Sequence, residues 1–267
     1  MHRVRALSLN IWNRSGPWTD RLELIRAGLK ALAPDVVGLQ EVVVDGQGSQ
    51  AEEIAHGFGY EIAYGKASTY DDGALFGNAV LSKYPIVAHE NRELPSPGTS
   101  QRAAILARLD TPAGVLPFAS THLAWKFTEG MIREQQVRAL AKFIDGARAG
   151  SDLPALVVGD FNTRPDATEI RFMMGLHALE GASTHFNDCF EVAGIGSPFT
   201  FDPRNNPHAG LTYELPRRID YVFVAGPDDH GRGVPVSARV VFDEVRQKRD
   251  QRYAASDHYG VLAEIDF

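Results

Sequence analysis

The sequence predicts an α/β fold in which layers of β-sheet are covered by helices. Short apolar runs bounded by Gly, Pro or polar residues recur along the whole chain and have the length of buried strands. Helical patterns separate the early runs, whereas the later runs follow one another more directly. A doubly wound parallel sheet needs a regular alternation of strands and helices, so this mixture favours packed sheets with helices outside them.

The predicted strands are apolar segments that stop at a polar residue or a turn former. They comprise residues 4–9, 36–39, 79–81, 103–109, 115–120, 155–158, 221–224, 236–242 and 260–265. Stretches rich in Pro, Gly or Asn are predicted to be surface loops, at residues 64–77, 94–101 and 194–217.

The predicted helices rest on capping pairs and on apolar spacing. A capping residue followed three positions later by Glu predicts helices that begin at Asp20, Ser49 and Asp166 and end near residues 32, 56 and 174. The longest helical pattern runs from residue 128 to about residue 149. Its apolar face is predicted to contain Met131, Val137, Leu140, Phe143 and Ile144.

Length, charge and cysteine content restrict the class of protein. The 267 residues, 44% of them hydrophobic, suit a single domain over 1–267, since no shift in composition marks a boundary. A net charge of −7 gives no general attraction to polyanions, although a local basic groove is compatible with it. The single cysteine, Cys189, cannot form an internal disulfide and is predicted to be a buried apolar side chain. Residues 1–8 lack a signal-peptide core, and no run approaches the ~18 apolar residues of a membrane span, so we expect a soluble cytoplasmic protein.

Polar residues stand at the ends of several predicted strands. The apolar run 156–158 leads into Asp160, and Asn162 follows two residues later. Three further polar residues follow apolar runs, and three precede them: Asn10, Glu41 and His122, then Asp220, Asp257 and His258. In antiparallel sheets the carboxyl end of one strand lies beside the amino end of its neighbour. We therefore expect these side chains to converge on one rim of the fold.

The residue types at this rim indicate a chemistry. Carboxylate and amide oxygens suit a hard divalent ion such as Mg²⁺ or Mn²⁺, whereas a single cysteine argues against a structural zinc site. Asp160 can orient and deprotonate a water, and Asn162 can donate to a phosphate oxygen or hold Asp160. Asp220 can hydrogen-bond the far nitrogen of His258 and fix its tautomer. Taken alone, each residue is better explained by a structural role, as a turn former, an ion-pair partner or a strand-end residue.

Taken in order, the motifs resemble the endonuclease/exonuclease/phosphatase superfamily, which includes exonuclease III-like nucleases, neutral sphingomyelinases, inositol polyphosphate 5-phosphatases and deadenylases. The resemblance covers residues 5–265 and is carried by the motifs LSLN, GLQE, NAVLSKYPI, STHL, GDFN, RIDY and SDH. It implies a four-layer α/β sandwich, in which two mixed sheets face each other between outer helices. It also implies Mg²⁺-dependent hydrolysis of a phosphoester by in-line attack of water.

The resemblance further implies a role for each matching residue. Glu41 binds the metal, with Asn10 and Asp257 beside it. Asp160 orients the water, and Asn162 assists at the phosphate. His258 acts with Asp220, while His122 contacts the phosphate.

Other residues are predicted to contact the substrate. Arg102 and Arg133 are candidate phosphate clamps, because guanidinium binds phosphate at two points, and surface ion pairing is the alternative. Trp125, with Trp12 and Trp18, is predicted either to form a wall of the substrate cleft or stack on a base, or to pack within the core or loops.

The predicted function is that of a metal-dependent phosphodiesterase acting on a small or lipid-like phosphodiester. A nuclease on the same fold, a sugar or inositol phosphomonoesterase and a non-catalytic scaffold are the alternatives. The chain lacks a long apolar hairpin for entering a membrane and a compact basic insertion for binding DNA, and the sequence does not indicate an oligomeric state.

Overall fold

The computed structural model of the chain describes residues 1–211 and 214–267. Short 3₁₀ turns occupy Phe127–Glu129 and Ala209–Leu211. The strands and helices, in chain order, are β1 (Arg3–Asn10), α1 (Trp18–Leu32), β2 (Val36–Asp45), β3 (Gly48–Ser49), α2 (Gln50–Ala55), β4 (Glu61–Thr69), β5 (Leu75–Ser82), β6 (Ile86–Leu94), β7 (Arg102–Thr111), β8 (Gly114–His122), α3 (Gly130–Ala147), β9 (Leu156–Asp160), α4 (Thr168–Met173), β10 (Asn187–Asp188), α5 (Cys189–Ala193), β11 (Asp220–Val224), β12 (Val234–Val241), β13 (Arg246–Lys248), β14 (Gln251–Tyr253) and β15 (Gly260–Asp266).

The strands form two large mixed sheets and a small hairpin. Sheet A has the order β12-β15-β1-β2-β5-β4, with β3 beside β2, and sheet B has the order β10-β11-β9-β8-β7-β6. Strand β1 runs parallel to β2, and β8 runs parallel to β9, among antiparallel neighbours. Parallel neighbours need a crossover connection, which α1 and α3 provide.

Three apolar clusters separate the layers. The inner core lies between the two sheets and includes Val4, Phe118 and Val158. Helices α1 and α2 pack on the outer face of sheet A, while α3 and α4 pack on the outer face of sheet B. The order helix–sheet–sheet–helix confirms the predicted α/β fold and the four-layer sandwich that the resemblance implies. Strands buried on both faces also explain why they appear in the sequence as continuous apolar runs.

Strand alternation directs the polar strand-end residues toward the space between the sheets. Asn10, His122, Asp160 and Asp220 each lie two or four residues from an inner-core residue of the same strand. Residues so spaced point to the same face of a sheet. Asp160 is also opposite Asp220 in one strand pair and beside His122 in the next. These side chains therefore meet where the apolar inner core ends.

A glycine allows the sheets to approach closely below this rim. A Cβ on Gly38 would lie 2.2 Å from Cγ2 of Val158, so a larger residue would push the sheets apart. Two residues further along β2, Gln40 Nε2 donates to Ser120 Oγ across the gap at 3.0 Å. The two sheets are thus joined by a hydrogen bond directly beneath the polar residues.

Some predicted boundaries were wrong. Most of the predicted loop 64–77 is strand, because β4 extends to Thr69 and β5 begins at Leu75. Strand β6 was missed altogether, since its mostly exposed sequence carries no apolar pattern. Of the predicted loop 194–217, residues 212–213 lie outside the described residues, and the rest is irregular apart from isolated bridges and the turn Ala209–Leu211.

The predicted helix starts were also displaced. Helix α1 begins at Trp18, so Asp20 lies in its first turn, and α4 begins at Thr168 rather than Asp166. Met131 was expected on the apolar face of α3 but is 76% exposed. It lies six residues before Val137, which at about 100° per residue places it roughly 120° away from that residue around the helix. Among the described residues, no helix is both long and apolar enough to cross a membrane.

Candidate active site

An open cleft of about 420 Å³ lies over the rim where the two sheets meet. It is lined by six of the residues predicted to carry the chemistry, namely Glu41, His122, Asp160, Asn162, Asp257 and His258. Asn10 and Asp220 are buried directly behind them and hydrogen-bond to members of this group. Residues widely separated in the sequence therefore form one contiguous polar site.

Asp160 lies at the centre of the site. Its Oδ2 accepts a hydrogen bond from Asn10 Nδ2 at 3.0 Å and lies 3.5 Å from His122 Nε2 and 3.7 Å from His258 Nε2. Its Oδ1 accepts from the backbone N–H of Asn162 at 2.8 Å. Burial raises the pKa of Asp160 to about 7, and Asp220 adds to the rise, whereas His258 and the bonds from Asn10 and Asn162 oppose it.

His258 and Asp220 form a buried pair. The Nδ1 of His258 donates to Asp220 Oδ2 at 3.0 Å, and Thr200 Oγ1 accepts from the backbone N–H of Asp220 at 3.2 Å. Burial opposes a charge on His258, but Asp220, Asp160 and Asp257 outweigh that effect and raise its pKa well above the ordinary value. These acidic neighbours favour the imidazolium form of the ring, in which the Nε2–H faces Asp160.

His122 lies in the opposite electrostatic environment. Asn162 Nδ2 donates to its Nε2 at 3.0 Å, and Arg102 Nη1 lies 3.3 Å from its Nδ1. Donors on both sides disfavour a second ring proton, and burial, together with Arg102 and His258, lowers the pKa of His122 well below the ordinary value. The pKa values of the two histidines in the cleft are thus shifted in opposite directions.

Arg102 is buried beside His122 and lines the cleft. Its Nε has no hydrogen-bond partner among the described residues, and burial lowers its pKa against the opposing charges of Glu41 and Asp160. A buried guanidinium with an unused donor suits an anionic ligand, which agrees with the predicted role as a phosphate clamp.

Glu41 reaches the cleft through an irregularity in β2. The pairing of β2 with β5 shifts between Leu39 and Val42, and Glu41 has a φ of 61°. By simple alternation it would share the outer face with Leu39, so the bulge redirects its carboxylate. Asn13 Nδ2 then donates to Glu41 Oε2 at 2.9 Å.

The side-chain amide of Asn10 donates to two carboxylates. Its Oδ1 accepts from the backbone N–H of Trp12 at 2.9 Å, which turns Nδ2 toward Asp160 and toward Glu41 Oε1 at 3.3 Å. In this orientation the amide nitrogen, not the oxygen, faces the acidic groups. Asn10 therefore positions Glu41 and Asp160, and its predicted place beside a metal stays a prediction.

The acidic residues fit a divalent cation on the side of Glu41 and Asp257. Burial raises the pKa of Asp257 to about 6, and the charge of Glu41 adds to the rise, although His258 opposes it. A cation between these cleft-lining carboxylates would relieve their repulsion, and their oxygens suit Mg²⁺ or Mn²⁺. Ligand atoms of Asp160, Asp220 and His258 also lie within 4.8 Å of one another, so these three buried side chains form a second group that could hold a metal ion.

Arg133 does not reach the cleft. Its Nε donates to Glu169 Oε1 at 2.8 Å, and its Nη1 donates to the carbonyl oxygens of Ala124 and Lys126 at 3.1 and 2.9 Å. The side chain is 6% exposed and uses its donors to hold the turn that follows β8. The predicted phosphate-clamp role of Arg133 is thus not supported by its position.

The three tryptophans have different surroundings. Trp125 lines the cleft and is 57% exposed, in keeping with its predicted place on the wall. Trp12 and Trp18 instead sandwich the guanidinium of Arg21, whose Cζ lies 5.0 and 5.1 Å from their ring centroids. The alternative of loop packing applies to these two residues.

Several residues that shape the site were missed from the sequence. Asn13 holds Glu41, Thr200 holds the start of β11, and Asn206 Nδ2 donates to the carbonyl oxygen of Ser256 at 2.9 Å. Arg217 also lines the cleft. Asn13 had no signal in the sequence beyond its position three residues after Asn10.

Comparisons with known proteins agree with this geometry. A sequence model described as "Endonuclease/Exonuclease/phosphatase family" matches residues 7–258. Uncharacterized protein YbhP of Escherichia coli strain K12 is 29% identical over 173 residues, which are 59% of this chain and 66% of that protein, just under two thirds of its length.

Solved structures show the same fold. A crystal structure of D. rerio TDP2 complexed with single strand DNA product has a TM-score of 0.79, with 20% identity and full coverage of both chains. A crystal structure of beta toxin 275–280 from Staphylococcus aureus has a TM-score of 0.75 and 18% identity, covering 97% of this chain and 99% of that one. At these identities the likeness concerns the fold alone.

Proposed function

Because the chain belongs to the endonuclease/exonuclease/phosphatase family, whose members are hydrolases of phosphoesters, we propose that it is a divalent-metal-dependent phosphodiesterase. The observation that carries the proposal is the position of Asp160, which lines the cleft between a charged and a neutral histidine and is oriented by two asparagines. A carboxylate fixed in this way can orient a water for attack on phosphorus, which supports the proposal.

In the proposed reaction Asp160 orients the water and accepts its proton. Its two oxygens are held separately by Asn10 and by the backbone of Asn162, so the carboxylate has no freedom to turn away from the cleft. Fixing the base in this way lowers the entropic cost of reaching the transition state. His258, protonated and supported by Asp220, donates its Nε2–H toward the same region and stabilises developing negative charge.

The phosphate is proposed to lie against His122, Asn162 and Arg102. Asn162 is kept in place by donating to the carbonyl oxygen of Leu123 at 3.2 Å as well as to His122. Arg102 lines the same wall, and its guanidinium provides a further charged donor there. A Mg²⁺ or Mn²⁺ ion held by Glu41 and Asp257 would neutralise phosphate charge and stabilise the leaving oxygen.

A diester is favoured over a monoester because the cleft is open and extends beyond the polar residues to the side chains of Trp125 and Phe127. The second ester group of a diester has room beside these two side chains. A nuclease is the alternative, and the single strand DNA product in D. rerio TDP2 favours it. The net charge of −7 argues against a long polyanion as the substrate.

The proposal is tested with Asp160→Asn and a matched control, Asp166→Asn. Asp166 is an exposed acid six residues away that pairs with Arg164. In Mg²⁺ we expect the wild type and the control to hydrolyse bis(p-nitrophenyl) phosphate faster than p-nitrophenyl phosphate. Asp160→Asn is expected to lower kcat by about 10²–10⁴-fold, the usual contribution of a general base.

Three results would count against the proposal. Turnover of Asp160→Asn close to that of the control would remove the assigned base. Hydrolysis that persists in EDTA would contradict the metal dependence. A preference for the monoester would indicate a phosphatase. Single-stranded, duplex and abasic DNA and RNA are assayed in parallel, and cleavage of one of them at a higher kcat/KM than small diesters would establish the nuclease alternative.

A further inference from the structure

Two aromatic side chains are exposed at the mouth of the catalytic cleft. Trp125 is 57% exposed and Phe127 is 72% exposed, and both line the cleft. They follow β8 directly, so that they lie within five residues of His122. Large exposed aromatic rings at a concave polar site are typical of ligand-binding surfaces. We refer to Trp125 and Phe127 as the aromatic rim.

The turn that carries the aromatic rim is held on several sides. Leu123 N–H donates to the carbonyl oxygen of Asp160 at 2.9 Å, and Ala124 N–H donates to Gln136 Oε1 at 2.9 Å. Arg133 binds the carbonyl oxygens of Ala124 and Lys126, as described above, and Lys126 N–H donates to Glu129 Oε2 at 3.1 Å. The rings are thus presented on a fixed backbone, which reduces the entropic cost of binding a ligand there.

Arg217 extends the rim toward the catalytic residues. Its Cζ lies 5.2 Å from the ring centroid of Phe127 and 5.3 Å from that of Phe201. The ring of Phe201 in turn meets His258 edge-on, with centroids 5.2 Å apart. A chain of planar groups therefore runs from the aromatic rim to the imidazolium, and Phe127 forms its exposed outer end.

We propose that Trp125, Phe127 and Arg217 form a subsite for a planar, unsaturated ring joined to the reacting phosphate, with a nucleobase as the chemical class that fits it best. This inference rests on the proposed function only for the position of the phosphate. A planar ring can stack on the exposed side chains of Trp125 and Phe127, and the guanidinium of Arg217 beside Phe127 adds a cation that attracts an aromatic face. A lipid chain would gain less from Arg217 and from Lys126, which lie among the aromatic residues of the cleft wall.

The test compares adenosine 5′-monophosphate with ribose 5-phosphate, which differ only by the base. Binding is measured by calorimetry in Mg²⁺, and every protein carries Asp160→Asn so that turnover does not interfere. We expect the base to increase affinity at least about fivefold, because stacking on aromatic side chains contributes about 5- to 150-fold per base. Phe127→Ala and Trp125→Ala are expected to remove most of this preference while leaving the affinity for ribose 5-phosphate unchanged.

Phe127→Tyr, which keeps the ring, is expected to retain the preference, and Leu176→Ala serves as a control at a residue that is 56% exposed elsewhere. Equal binding of the two ligands, binding of neither, or a preference that survives in both alanine variants would overturn the subsite. Phe127-dependent binding to phosphatidylcholine vesicles without a base preference would overturn it in favour of a lipid surface. If the base preference is found but the wild-type protein, which retains Asp160, hydrolyses no phosphoester, the subsite is kept and the proposed function is wrong.

Discussion

The substitution Arg21→Lys tests how the loop beside Glu41 and Asp257 is held. Arg21 is fully buried and donates to the backbone carbonyl oxygens of Ser15, Ile11, Ala255, Trp12 and Asn13 at 2.7–3.2 Å. These contacts use all three nitrogens, and an arginine has five N–H donors. A lysine keeps the positive charge but has only three donors from a single atom, so at least two of the carbonyl oxygens lose their partner.

The expected loss of stability follows from those two groups. A buried polar group left without a partner costs about 1–3 kcal/mol, so Arg21→Lys should lower the free energy of unfolding by roughly 2–6 kcal/mol. That is a large part of the 5–15 kcal/mol by which domains are typically stable. At about 2–4 °C per kcal/mol for a protein of this size, the melting temperature should fall by roughly 5–20 °C.

Urea unfolding followed by far-UV circular dichroism measures this loss, and Arg26→Lys is the matched control. Arg26 lies on the same helix, and its Nη1 alone donates to the carbonyl oxygens of Glu53 and Ile54 at 2.8 and 3.1 Å. One ammonium group can replace those two bonds, so the control should lose less than about 1 kcal/mol. An equally small loss in Arg21→Lys would show that the network of five carbonyl contacts does not hold the loop.

Further predictions concern the ion pairs and the metal. Arg133→Met should lower the free energy of unfolding by about 3–5 kcal/mol, because it leaves Glu169 buried and unpaired. The added change Glu169→Leu should restore much of that loss. A variant that raises only the KM for the phosphoester substrate, with no loss of stability, would contradict the structural role. Asp220→Asn should lower kcat by at least about 10²-fold without changing the affinity for Mg²⁺, which calorimetry can check. Mg²⁺ at 100 times its Kd should stabilise the folded protein by about 2.7 kcal/mol in a thermal melt, and Glu41→Gln should abolish that shift.

Strand alternation made much of the site predictable. Asn10, His122, Asp160 and Asp220 stand at strand ends, in register with residues of the inner core. A polar residue that keeps the inward phase of a buried strand must end at the edge of the core, and pairing brings such residues together. The sequence therefore predicts that these residues converge, although it does not predict the order of the strands in the sheets.

Glu41 and Arg133 show where this reasoning stops. Glu41 has the wrong phase to face the cleft, and only the bulge in β2 with its positive φ turns it inward. Arg133 has the residue type of a phosphate ligand, but its place on α3 directs it to Glu169 and two carbonyl oxygens. Both outcomes depend on long-range packing, which residue type and spacing do not encode.

The exposed strands were missed for a related reason. Strand β6 is an edge strand whose side chains are mostly exposed and polar, so nothing in its composition distinguishes it from a loop. Polar and charged side chains on an edge strand protect it from pairing with other chains. The polar residues that protect β6 from pairing with other chains are thus the reason why the sequence does not predict a strand there.

Four of the eight described non-glycine residues with a positive φ lie at or beside the cleft, and their strain supports a functional interpretation. Trp12, Asn13, Glu41 and Asn162 are non-glycine residues with φ between 38° and 61°. Such conformations cost of order 1 kcal/mol or more each and persist only where surrounding contacts enforce them. Here the enforcing contacts are the carbonyl bonds of Arg21 and the hydrogen bonds among the site residues themselves. Because the strained residues either face the cleft or support the side chains that do, the fold gives up stability where it aims these groups, as expected of a site built to act on a ligand.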